Sequence, residues 1–170
     1  IFFFHAYAGI PDPLWSRGLG DVYKRQGYID YVATDHAPHL LEGKSNDYME
    51  CPSGMPSVQH TLLVLLELVK EGVYSLNDLP YYLSHKVADR FKIIDRGYIR
   101  EGYWADLVLV DLDSPQTASR ENMGYFCGWS PFEGESFSSK VVSTFVNGNL
   151  AYNEGRILEP NKGVQLQFDR

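Results

Sequence analysis

Hydrophobic spacing divides the chain into four blocks with no internal repeat. Residues 1–26 are aromatic and punctuated by Gly and Pro, with neither a helical nor a strand period. YIDYVAT, from Tyr28 to Thr34, concentrates aromatic and β-branched residues and predicts a short strand ending at Asp35. Pro38 disfavours helical geometry at Ala37, so the chain should leave that strand as an extended loop. The loop is polar and runs from His36 to about Met55, a length that in a compact domain points to function. Pro56 is tolerated in a first helical turn, and Val58, Leu62, Leu65, Leu66 and Val69 then recur at i, i+4, i+7, i+8 and i+11. Leu63, Val64 and Leu68 lie off that stripe, so the helix should be covered on most sides, with Gly72 as its stop. Asp78 predicts the cap of a second helix with Leu79 and Pro80 in its first turn, broken near Ser84 to Lys86.

From Ile93 onward the pattern becomes β. Gly97 and Gly102 read as turn points, and Leu107 to Val110 as a buried strand. KVVSTFVNGNLAY places two apolar segments around Asn147-Gly148, a strong hairpin signal because both residues tolerate positive φ. A strand–loop–helix unit followed by a separate β layer matches one βα repeat of a parallel α/β barrel. Catalytic residues of such barrels sit where strands end, which is where Asp35 falls.

Composition narrows the function classes. The 170 residues carry 15 Lys and Arg against 22 Asp and Glu, a net charge of −7, with no basic run. Nothing here supports binding to nucleic acid or anionic membrane, and an anionic substrate would need a local metal or a placed cation. Cys51 and Cys127 are too few for a disulfide framework; they read as small apolar residues in a reducing cytoplasm. TLLVLLELV is too short to span a bilayer and contains Glu67. Ala6-Tyr7-Ala8 has the look of a cleavage site, but no basic region or adequate apolar stretch precedes it. With no initiating Met, the chain is expected to begin inside a larger protein.

ATDHAPH, from Ala33 to His39, gathers the candidate chemistry. A carboxylate at a strand tip can ligate a divalent metal and also hold or deliver a proton, which suits Asp35. His39 could donate a hydrogen bond to an anionic substrate group. The competing reading has Thr34 and Asp35 satisfying loop backbone groups and the histidines solvated; the spacing leaves both open. A closed zinc site needs about three or four protein ligands, and outside the loop only His5, His60 and His85 remain. His60 and His85 sit in helical stretches, where a packed or solvent-facing imidazole is the plainer reading.

Five blocks, IDYVATDHAPH, PSGMPSVQHTLLVLLELV, RGYIREGYWADLVLVDLD, WSPFEG and KVVSTFVNG, together resemble the C-terminal part of the dihydroorotases of the amidohydrolase superfamily, over about Gly27 to Gly155. The second histidine of TDHAPH points toward dihydroorotases ahead of hydantoinases or allantoinases. The resemblance implies an α/β fold: the last βα units of a (β/α)8 metal-dependent hydrolase barrel (27–92) plus part of a C-terminal β-sandwich domain (93–170). It implies a cytoplasmic, zinc-dependent cyclic amidohydrolase acting on dihydroorotate and N-carbamoyl-aspartate in pyrimidine biosynthesis, as a homo-oligomer or with an aspartate transcarbamoylase partner. Carried over by motif, Asp35 is metal ligand and general acid/base, His39 meets the substrate carboxylate, and Ser53 and Gly54 contact substrate. The alternatives are another cyclic amidohydrolase or a non-catalytic scaffold subunit.

The departures are specific. The family's first-strand H-x-H pair is missing, since His5 is followed two residues on by Tyr7, and so are the bridging ligand and two further histidines. Lys86 and Val87 stand where an SHNPA-like stretch has Asn and Pro. Residues 1–26 match none of the family and read as a foreign segment, LWSRGLGDVYKRQ resembling a translated sequencing adapter. The expectation is a truncated chain, inactive alone, that carries one corner of a site.

Overall fold

The structure, a computed structural model, describes residues 30–158 and 163–169; the reading of residues 1–26 as foreign lies outside them. Among the described residues no helix is long and apolar enough to cross a membrane. The chain packs as two units, one holding described residues up to Leu62 together with Thr117–Ser136, the other Leu63–Gln116 and Phe137 onward.

In the first unit residues 30–34 carry no strand; among the described residues one parallel bridge, His36 to Met55, is all that pairs there. An extended segment becomes a strand only where a neighbour takes its N–H and C=O groups, and the Met55 segment offers a single register point, Ala37 N–H to Met55 O at 3.0 Å. The loop that follows contains a short helix, α1 (Leu41–Lys44). Met55, Ala118, Cys127 and Phe132 form the unit's buried apolar core, joined by His60. A 3-10 turn, Arg120–Asn122, opens with Ser119 and Asn122 capping each other.

The long helix α2 spans Thr61–Lys70 and starts well after Pro56. The reason is local. The amides of Ser57 and Val58 donate to the His36 ring instead of entering a helical turn, and Ser57 O then accepts from Thr61 N–H (3.2 Å) and Thr61 Oγ1 (2.9 Å). Val58, counted on the apolar stripe, is consequently exposed, whereas Leu63, Leu65 and Leu66 are buried. Gly72, at φ +76, ends the helix as the pattern required.

In the second unit Glu67 resolves the oddity of a charge in an apolar helix, because Oε1 accepts both the N–H and the hydroxyl of Ser138 at 2.6 Å. Helix α3 (Asp78–Pro80) passes into a π-helical segment, Tyr81–His85, and then α4 (Lys86–Phe91). Asp78 is not the cap expected of it: Asn77 holds that position with no side-chain bond, and Asp78 lies inside the helix with its carboxylate accepting Ser75 N–H at 2.7 Å. The interruption expected near Ser84 is thus one wide π turn, not a broken helix.

Strand β1 (Leu107–Asp111) pairs antiparallel with β4 (Lys140–Val146), β4 with β5 (Asn149–Asn153), and β5 with β6 (Arg156–Ile157). A ribbon pairs β2 (Gln116–Thr117) with β3 (Ser136–Phe137). Asn147 (φ 53) and Gly148 (φ 80) make the predicted two-residue turn. Arg96 holds that turn: Nη2 donates to Asn147 Oδ1 at 2.6 Å and Nη1 to Asp106, whose other oxygen accepts Asn147 N–H at 2.8 Å. The expectation of a buried β1 is corrected, since Val108 is 50% and Leu109 57% exposed. Among the described residues β1 is an edge strand bonded to β4 alone, and Val108 and Leu109 point to opposite faces, both of which are uncovered there.

Candidate active site

Asp35 has φ 47, a left-handed backbone in which Asp is among the few non-Gly residues found. It is exposed, and its carboxylate takes no hydrogen bond among the described residues. Its neighbours on both sides are tied down. Before it, Thr34 O accepts the Ser57 hydroxyl at 2.8 Å. After it, His36 Nδ1 accepts Ser57 N–H at 3.0 Å and Val58 N–H at 3.3 Å. Ala37 N–H adds its bond to Met55 O. One four-residue stretch, Met55 to Val58, therefore grips the chain on either side of Asp35.

The two histidines of the motif part company. An acceptor at Nδ1 leaves the His36 proton on Nε2, and the half-buried ring lies 5.4 Å from that of Tyr125. His36 is thus committed to the fold. His39 is exposed; its N–H bonds Ala37 O at 2.9 Å and its carbonyl accepts the Trp129 indole N–H at 2.7 Å, which fixes the backbone and leaves the imidazole presented to solvent. Ser53 is exposed beside Gly54. Gly54 (φ 98) lies against Ala37, where an added Cβ would sit 2.5 Å from Ala37 Cβ, so this glycine is required by backbone packing as well as by its φ.

His60 lies in the turn just before α2, not in the helix, and of the two readings open to it the structure shows the packed one. It is buried, 5.3 Å from the Phe132 ring, with Nδ1 3.2 Å from Tyr125 Oη. Burial holds its pKa below the ordinary histidine value. The same environment, offset by amide donors from Gln59 and His60, holds the Tyr125 phenol above its usual range. His85 stacks on Tyr98 at 4.3 Å, and Tyr98 donates to Asp89, whose carboxylate raises the phenol pKa. His5 lies outside the described residues.

Ser57, Gln59, Tyr125 and Trp129 escaped the sequence reading. Tyr125 Oη accepts Gln59 N–H at 2.9 Å, Gln59 Oε1 accepts Gly124 N–H at 2.8 Å, and Gln59 Nε2 donates to Asn122 O at 2.8 Å. The WSPFEG block was visible as a motif, but nothing local shows that its tryptophan reaches back to His39.

These donors do not by themselves fit a metal. Among the described residues no group of three or more His, Cys, Asp or Glu side chains could hold one, and His36 Nδ1 is already spent on backbone amides. Asp35 is one open donor.

A family model described as the amidohydrolase family matches residues 16–151. The dihydroorotase of Clostridium acetobutylicum is 39% identical, the match covering 74% of this chain and 30% of that protein. That of Bacillus subtilis is 34% identical over 78% of this chain and 31% of its own length. Among solved structures, the D-hydantoinase of Bacillus sp. AR9 superposes with a TM-score of 0.75 at 27% identity, covering 85% of this chain and 33% of that one. The dihydropyrimidinase of Brevibacillus agri NCHU1002 gives 0.73 at 28% identity, with 81% and 32% covered. The chain spans about a third of the length of the relatives it matches.

Proposed function

Because the chain belongs to the amidohydrolase family, we propose that it is the C-terminal part of a dihydroorotase, comprising the last βα portion of a barrel (27–92) and part of a β-sandwich (93–170). In the complete protein the reaction is reversible hydrolysis of dihydroorotate to N-carbamoyl-aspartate. The observation that supports this most is the division of labour in ATDHAPH: His36 is consumed by the fold, while Asp35 and His39 on either side are exposed and their side chains are unengaged among the described residues.

Water adds to the ring amide carbonyl, Asp35 accepts its proton, and the carboxyl returns that proton to the ring nitrogen as the C–N bond breaks. His39 donates an imidazole N–H to the substrate carboxylate, which supplies the anion anchor that a chain of net charge −7 needs. Ser53 and Gly54 line the approach. Zinc is the proposed cofactor of the whole protein, with Asp35 as one donor and the remainder outside the described residues. The complete enzyme is placed in the cytoplasm, as a homo-oligomer or beside aspartate transcarbamoylase.

In the complete enzyme, Asp35→Asn should lower kcat about 10²-fold or more, because shape is kept while the proton carrier is lost. His39→Ala should raise KM roughly 10- to 10²-fold, the worth of one hydrogen bond to a charged group. The isolated 170-residue chain with added zinc should show neither turnover nor stoichiometric metal. Near-full activity of Asp35→Asn, or turnover by the isolated chain, refutes the assignment. The matches to hydantoinase and dihydropyrimidinase structures favour one second reading, a cyclic amidohydrolase of that kind. Side-by-side rates on dihydroorotate, hydantoin and allantoin decide between them.

A further inference from the structure

Asp35 combines an exposed position, a left-handed backbone and a carboxylate with no hydrogen bond among the described residues. A non-glycine residue in that conformation costs about 1–3 kcal/mol and persists only where its surroundings over-determine it. Here the surroundings are identifiable. Thr34 O on one side takes the Ser57 hydroxyl, and the His36 ring on the other takes the Ser57 and Val58 amides. Ser57 thus contributes its side chain before Asp35 and its main chain after it, closing a loop of three residues whose tip is Asp35. The turn is further backed by Ala37 N–H on Met55 O, and by the Tyr125 ring against His36.

We propose that His36 and Ser57 are positioning residues for Asp35: the His36 ring, used as a helix-entry acceptor, and the Ser57 hydroxyl together fix the direction in which the Asp35 carboxylate points. The inference rests on the reading of Asp35 as the acid/base group. Neither residue touches substrate. They act by removing the backbone freedom that would let the carboxylate swing away from the reacting bond, where a misplacement of about 1 Å costs roughly 10²-fold in rate.

The geometry supplies a discriminating pair of variants. Asn Oδ1 is separated from Cα by the same number of bonds as His Nδ1, so His36→Asn keeps an acceptor where the two amides need it. His36→Gln places its acceptor one bond farther out. In the complete enzyme, His36→Gln and His36→Ala should lower kcat about 10- to 10²-fold with KM nearly unchanged, and His36→Asn should recover most of the loss. Ser57→Ala should act in the same direction by less, since it removes one of the two anchors. A kcat unaffected by His36→Gln, or an Asn variant as impaired as the Gln variant, overturns the proposal. If His36→Ala does not fold, the Asn/Gln pair and Ser57→Ala carry the same comparison. A second readout needs no turnover: nitrogen-15 spectra of the 170-residue chain should show His36 with Nδ1 unprotonated, and slow amide exchange at Ser57 and Val58 that is lost in His36→Gln and kept in His36→Asn. A protonated Nδ1, or amides exchanging as in an open loop, overturns the anchor itself. Absence of dihydroorotate turnover in the unaltered complete enzyme would instead count against the proposed function, leaving the spectra to decide the anchor.

Discussion

Gly54→Ala tests how tightly the candidate site is built. Two costs can be worked from the structure. The first is conformational: at φ +98 an alanine loses about 1–2 kcal/mol through Cβ crowding its own backbone. The second is contact: the new Cβ would lie 2.5 Å from Ala37 Cβ, against about 3.5–4.0 Å for relaxed carbon contact. Relieving that shortfall strains the backbone on one side or the other, at a cost of about 1–3 kcal/mol. The sum is about 2–5 kcal/mol. Gly148 is the internal reference, since it has a similar φ of +80 and no atom within 4 Å of an added Cβ. Gly148→Ala should therefore show the conformational cost alone, about 1–2 kcal/mol. Adding Ala37→Gly to Gly54→Ala removes the colliding atom and should recover about 1–3 kcal/mol as a pairwise coupling. Native-state hydrogen exchange at Ala37, whose amide bonds Met55 O, reads the local opening free energy, and urea unfolding reads the global one. If Gly54→Ala costs no more than Gly148→Ala, or if Ala37→Gly recovers nothing, the close approach is not a determinant of this fold.

The ion pair behind the hairpin should respond asymmetrically. Arg96 has a side chain 10% exposed and Asp106 one 36% exposed, so Asp106→Ala strands the more buried charge and should cost about 3–5 kcal/mol. Arg96→Met leaves a part-solvated carboxylate still bonded to Asn147 N–H and should cost less, about 1–3 kcal/mol; urea midpoints in the reverse order would refute the ranking. His60 should make stability fall with acid. Its folded pKa is lowered by burial, so between the ordinary histidine value and that lower value the unfolded chain binds more protons, and the stability present above pH 6.5 is lost as pH falls below it. His60→Gln should flatten that part of a stability–pH profile measured between pH 7.5 and 5; an unchanged slope would show that His60 is not its source.

Much of the local structure was legible because it depends on neighbouring residues. Asn147-Gly148 makes its turn since positive φ at both positions is a property of those two side chains. Gly72 stops α2 for a similarly short-range reason, whereas the break expected near Ser84 is a continuous π turn. Asp35 and His39 were legible as candidates because their chemistry and spacing are written in seven residues. Elsewhere local pattern misled. Tyr28–Thr34 has the composition of a strand, but strand formation over residues 30–34 depends on a partner's hydrogen bonds, and the described partner supplies one bridge. Val108 and Leu109 have the composition of a core, but β1 is an edge.

By itself, then, the sequence determined the glycine turns, the existence and C-terminal stop of the apolar helix and which residues carry reactive groups, all properties that act within a few residues along the chain; where that helix begins was set by the His36 ring holding the Ser57 and Val58 amides. Tertiary structure alone decided which reactive groups are free to react. His36 became a backbone acceptor through contacts 21 and 22 residues away, His60 a buried base through Tyr125 at a separation of 65, and His39 a presented one through Trp129 at 90. Three imidazoles with the same intrinsic chemistry were assigned three roles by hydrogen bonds that closed only when distant segments met, because burial and partner identity are properties of the assembled fold.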